Sequence, residues 1–145
     1  MREIKFRAWD GKEMQKVYQL QFQDGKGIVA RKIMKTGIGY GDGLRIGEIK
    51  NAKLMQYTGL KDKNGKEMFY GDLVKLKTKD DYVYEVKKDN FNIPIFEANG
   101  YEKKPYTLID FRDYFLNPFI RRDDFEIIGN IYENPDLLNP IQLIN

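Results

Sequence analysis

Basic and aromatic side chains crowd the start of this chain. Lys5, Arg7 and Trp9 alternate along IKFRAW, and Lys12, Lys16, Arg31, Lys32 and Lys35 follow. A strand sends successive side chains to opposite faces, so Lys5, Arg7 and Trp9 share one face, and Ile4, Phe6 and Ala8 the other. Two cations beside an indole could hold a phosphate backbone and stack a base. Lys5, Arg7, Trp9, Arg31 and Lys32 are therefore the candidate face for a nucleic acid or a partner protein. The same pattern also fits a solvated strand face with Trp9 in a subunit contact.

Other constellations carry less chemistry. The acidic pairs Asp80-Asp81 and Asp123-Asp124, with Asp110 or Asp113, could hold Mg²⁺. Neighbouring residues on a strand diverge, however, and no D-x-D-x-D spacing is present, so turn and loop solvation explains them better. Gly37, Gly39, Gly41 and Gly43 invite a phosphate-loop reading, but fit neither G-x-x-x-x-G-K-[ST] nor G-x-G-x-x-G. Tyr57, Tyr70 and Tyr132 read as rim aromatics with a polar tip. Gly59, Gly65, Gly71 and Asp72 read as backbone devices.

The residue types that are missing exclude more. The chain has no His and no Cys. Ser-His-Asp and Cys-His nucleophile pairs are impossible, and so are the usual structural zinc sites. No catalytic residue and no cofactor are assigned; any enzyme would rely on carboxylates, Lys, Tyr or a bound Mg²⁺.

The 145 residues fit one domain, or one domain with an appendage. No apolar run approaches the roughly 18 residues of a membrane-spanning helix, and the first residues lack a signal-peptide core. The expectation is a cytoplasmic protein with no membrane partner. The net charge of +3 is uneven. Residues 1–53 hold 12 Lys/Arg against 6 Asp/Glu (+6), residues 54–88 hold 8 against 6 (+2), and residues 89–145 hold 5 against 10 (−5). A basic front and an acidic back fit complementary subunit surfaces, or a nucleic-acid face on the front alone.

Turns set the elements that must position these groups. Asp10-Gly11, Asp24-Gly25, Asp42-Gly43, Asn64-Gly65 and Asn99-Gly100 separate short segments rich in β-branched and aromatic residues. That spacing predicts an antiparallel β protein. Strands are expected at residues 4–9, 17–22, 28–34 and 81–88, with a closing strand at 125–132. A central hairpin joins residues 54–58 to 68–76 through a type I′ turn at Asn64-Gly65. The glycine-rich stretch 35–47 is expected to be a mobile loop or hairpin tip. Residues 91–96 contain Pro94 and are expected at an edge or irregular. Residues 107–115 fit a helix capped by Thr107, with a strand TLIDF as the alternative. Asn134-Pro135-Asp136 starts a short helix. The apolar tail is expected to dock Leu137, Leu138, Ile141 and Leu143 on its own core or on a neighbouring subunit.

Three ordered blocks, REIKFRAWD, QYTGLKDKNGKEMFYGDLV and IIGNIYENPDLL, together resemble the YopX-like family of phage and prophage proteins. The resemblance covers the start, middle and end, and departs from the family pattern over residues 91–122. It implies a small, soluble, β-rich, homo-oligomeric protein of Gram-positive bacteria and their phages. It supplies no catalytic residue to carry over.

The expected fold is mainly β (α+β): a small antiparallel barrel or strongly bent sheet over residues 54–145, an N-terminal β appendage over residues 1–53, and one or two short helices. The expected function is that of a phage- or prophage-encoded accessory protein, acting as a homo-oligomeric interaction module on itself or on a host protein. The alternatives are a single-stranded nucleic-acid binder and, behind it, a Mg²⁺-dependent enzyme.

Overall fold

In the computed structural model the described residues are 3–35, 44–76, 83–90, 94–99, 105–110 and 125–138. The stretch 36–43, the acids Asp80, Asp81, Asp113, Asp123 and Asp124, and the tail residues Ile141 and Leu143 lie outside them.

The described residues are mostly strand: β1 (Phe6–Trp9), β2 (Met14–Lys16), β3 (Gln19–Gln23), β4 (Gly27–Lys35), β5 (Leu44–Glu48), β6 (Lys53–Lys61), β7 (Glu67–Phe69), β8 (Asp72–Leu76), β9 (Val83–Lys88), β10 (Pro94–Asn99), β11 (Pro105–Asp110) and β12 (Phe125–Asn130). A single 3₁₀ turn, Pro135–Leu138, is the only helical piece among the described residues. Among the described residues every strand pairs antiparallel with its neighbours. Among the described residues the fold is mainly β, in three sheets, none closed into a barrel.

Two compact units form, one from Ile4–Gln56 and one from Tyr57–Asn145 together with Met1–Glu3, so the boundary falls inside β6. In the N-terminal unit β1 lies between β2 and the first half of β6, and β4 lies between β3 and β5. Ala8 of β1, Ala30 of β4 and Ile49 are buried together, with Val17, Leu20 and Ala52 packed on them. Three of these six side chains are alanine methyls, so this core is small. Residues 44–47 of the stretch expected as a loop or hairpin tip are instead the start of β5, which pairs with β4 from Leu44 to Glu48.

In the C-terminal unit the strands run β11-β10-β9-β8-β12. Its core holds Val74, Tyr84, Val86, Phe96 and Phe125. Phe96 and Phe125 stack with ring centroids 4.6 Å apart. Burying each ring contributes on the order of 2–3 kcal/mol.

Three local expectations are corrected. The turn at Asn64-Gly65 is not type I′, because Asn64 does not take positive φ and Gly65 does, at +77°. Gly65 N–H donates to Asp62 C=O at 3.0 Å and Asp62 N–H to Lys66 C=O at 2.9 Å. That is a three-residue loop, a type I turn followed by a left-handed glycine. Asp62 decides it, because its Oδ1 accepts the Asn64 and Lys66 N–H groups at 2.9 Å each. Second, residues 107–110 are strand, the alternative to the expected helix, and residues 111–115 lie outside the described residues. Thr107 pairs with Glu97 and Ile109 with Phe96, so partner strands override the helical spacing. Third, β10 is interior, between β9 and β11. Pro94 takes its first position, where a missing donor is tolerated.

Candidate functional site

A cleft of about 750 Å³ opens in the N-terminal unit. Its basic lining is Lys5, Lys16 and Lys32. Phe6 and Tyr18 supply aromatic surface, and Gln15 and Gln19 supply amides. No Asp or Glu lines it, and its volume lies in the range of small-ligand pockets.

Each wall follows from local chain chemistry. Asp10-Gly11 turns β1 into β2, and Gly11 takes φ +99°. The resulting register sets Arg7 opposite Lys16 and Trp9 opposite Met14. Tyr18 follows β2; its backbone N–H donates to Arg31 C=O at 2.8 Å, which fixes the segment against β4. Its side chain remains 60% exposed. A tyrosine held by its backbone and open to water is a ready stacking platform. Ile4 and Ile33 add exposed apolar surface to the cleft.

The acids near this cleft are already committed. Asp10 Oδ1 accepts the backbone N–H groups of Glu13 and Lys12 at 2.8 Å each. Its Oδ2 accepts Gln15 Nε2 at 3.1 Å. The backbone bonds from Glu13 and then Lys12, with the Gln15 amide behind them, lower the Asp10 pKa to about 2. Asp10 is therefore a fixed anion at any ordinary pH. Gln15 Nε2 also donates to Glu13 Oε1 at 3.0 Å.

The candidate residues divide. Lys5 and Lys32 line the cleft; Arg7, Trp9 and Arg31 do not. The Arg7 Nε is buried. Trp9 is half-buried between its cross-strand neighbours Met14 and Lys53. Arg31 Nε donates to Gln21 Oε1 at 3.1 Å. Strand alternation sends Arg31 and Lys32 to opposite faces of β4. Leu137 and Leu138 are half-buried in the 3₁₀ turn. Sequence reasoning missed Lys16, Tyr18 and Gln15 as members of one site. The Asp10-Gly11 turn was the signal that could have found Lys16, since a hairpin there brings it beside Arg7.

Two other charged places are internally compensated. A smaller polar cleft of about 360 Å³ has Lys26 and Glu48 in its wall, 3.8 Å apart. On the C-terminal sheet Glu85 lies opposite Glu97, and Lys87 Nζ reaches Glu97 Oε1 at 3.4 Å. Burial raises the Glu85 pKa, with Lys87 opposing and Glu97 reinforcing the rise. Among the described residues no three acidic, His or Cys groups gather as a metal site. No helix among them is long and apolar enough to cross a membrane.

Fold and site together define an antiparallel β protein of two units with a basic, aromatic cleft in the first. The chain belongs to the YopX protein family, whose profile matches residues 5–139. It is similar to the crystal structure of protein EF1440 from Enterococcus faecalis, at 28% identity and a TM-score of 0.61, over 96% of this chain and 100% of that one. No curated protein sequence matches it.

Proposed function

We propose that this is a non-catalytic accessory protein, phage- or prophage-encoded, whose N-terminal cleft binds single-stranded nucleic acid. The observation that carries the reading is the cleft lining: Lys5, Lys16 and Lys32 with Phe6 and Tyr18, and no carboxylate. Lysines neutralise phosphates and release counterions, while an open aromatic ring stacks a base of any identity. The surplus of cations in residues 1–53, 12 against 6, supports it further.

Fluorescence anisotropy of a labelled single-stranded oligonucleotide across a salt series tests it. Three phosphate contacts give a slope of log K against log salt of about −2. Lys16→Ala with Lys32→Ala brings the slope to about −0.7. Absence of salt-sensitive binding to any oligonucleotide overturns the reading.

A second reading, self-association as a homo-oligomeric interaction module, is favoured by Phe22 and Ile28. They oppose each other across β3 and β4 and are 75% and 63% exposed. Two large apolar side chains paired in water gain by being covered. Light scattering at micromolar concentration checks it: a mass of 17.1 kDa, that of one chain, ends this reading.

A further inference from the structure

We infer that Gln15 is a base-selecting residue of the cleft, presenting a hydrogen-bond acceptor that favours a base with an exocyclic amino group over thymine or uracil; this rests on the nucleic-acid reading above. An amide carries two N–H donors on its nitrogen and an acceptor on its oxygen. In Gln15 both donors are spent on carboxylates, Asp10 Oδ2 at 3.1 Å and Glu13 Oε1 at 3.0 Å. The two anions also fix which end of the amide is nitrogen, since an oxygen there would face like charge. Gln15 is one of the residues lining the cleft, and with both donors spent what its amide has left for a ligand is Oε1, an acceptor alone.

The arrangement is locked from behind. Asp10 is held by the Lys12 and Glu13 backbone N–H groups at 2.8 Å each. Carboxylates bonded to the amide nitrogen polarise it and strengthen Oε1 as an acceptor. The remaining polar groups sort by role. Lys5, Lys16 and Lys32 are donors only and suit phosphate, and Tyr18 suits stacking. Gln15 is left to read a base edge. Cytosine N4 and adenine N6 present amino hydrogens to an acceptor. Thymine and uracil present N3–H between two carbonyl oxygens, which repel the same acceptor.

The test is competition binding with equal-length oligo(dC), oligo(dT), and an oligonucleotide of the pyrimidin-2-one nucleoside, which is cytosine without its amino group. Oligo(dC) should bind about 3–10-fold tighter than either competitor, the equivalent of one hydrogen bond. Gln15→Leu should abolish that ratio, while Lys16→Ala weakens all three and preserves it. Equal binding of oligo(dC) and its deaminated analogue overturns the acceptor assignment and leaves the cleft reading intact. Binding of none overturns both. The analogue comparison uses the unmodified protein, so misfolding of the Gln15→Leu variant does not blunt the result.

Discussion

Asp62, in the loop after β6, accepts the backbone N–H of Ile127 at 3.1 Å across 65 residues. Its other oxygen accepts Asn64 and Lys66, and the residue is 1% exposed. One carboxylate therefore closes the hairpin loop and ties it to β12. Lys63 N–H strengthens the tie by donating to Phe125 C=O at 2.9 Å. Asp62→Ala leaves three N–H groups without their acceptor and should destabilise the C-terminal unit by about 3 kcal/mol. Asp62→Asn should cost less, because one oxygen still accepts. Urea unfolding followed by tyrosine fluorescence measures both.

Gly65 tests the loop itself. Its φ of +77° is left-handed, and nothing lies within 4 Å of an added Cβ. The penalty is then backbone strain alone. Gly65→Val should cost about 1–3 kcal/mol, and Gly65→Asn clearly less. Equal melting temperatures for wild type and the Val variant would refute the turn.

Gly129 makes the opposite case. A Cβ there would collide with the Asn134 side chain, whose own Cβ lies only 3.0 Å away. Asn134 Oδ1 is occupied by the Asn130 N–H at 3.3 Å, so Asn134 faces back to β12 rather than capping the 3₁₀ turn. Gly129→Ala should cost about 1–3 kcal/mol through overpacking. Adding Asn134→Ala should recover part of it, and a double-mutant cycle by thermal unfolding reads the coupling.

Glu85 sets a pH dependence. Burial raises its pKa above the ordinary 4.5, so the folded chain holds this proton more tightly than the unfolded one. Stability from this group is therefore greatest below 4.5 and declines as pH rises through the raised value. Glu85→Gln should raise the melting temperature at pH 7, with the gain shrinking toward pH 4. A loss at pH 7 would contradict the assignment.

For the cleft, Tyr18→Ala should weaken oligonucleotide binding by about 1–3 kcal/mol without changing the salt slope, since stacking releases no counterions. Lys32→Ala should change the slope by about 0.7. A Tyr18→Ala variant that altered the slope instead would mean that the ring only positions a cation.

Turn dipeptides and alternating β-branched and aromatic residues were enough to specify an antiparallel β chain, because period-two burial and left-handed glycines are local demands. The strands at IKFRAW, at 28–34 and at the close were legible for that reason. Over the described residues 107–110 the expected helix gave way to its strand alternative, because pairing with β10 is a long-range gain that local spacing does not encode. The type I′ turn failed because Asp62, two residues before Asn64, supplied an acceptor that favours another loop.

The site shows the same division. Sequence alone determined a front rich in cations and aromatics, and a chain without His or Cys. Only the tertiary structure decided which of those cations face one cleft. Register placed Lys16 beside Arg7, alternation parted Lys32 from Arg31, and two carboxylates turned Gln15 into an acceptor. Composition fixes what chemistry a chain can do, but convergence depends on hydrogen-bonded register between strands distant in sequence.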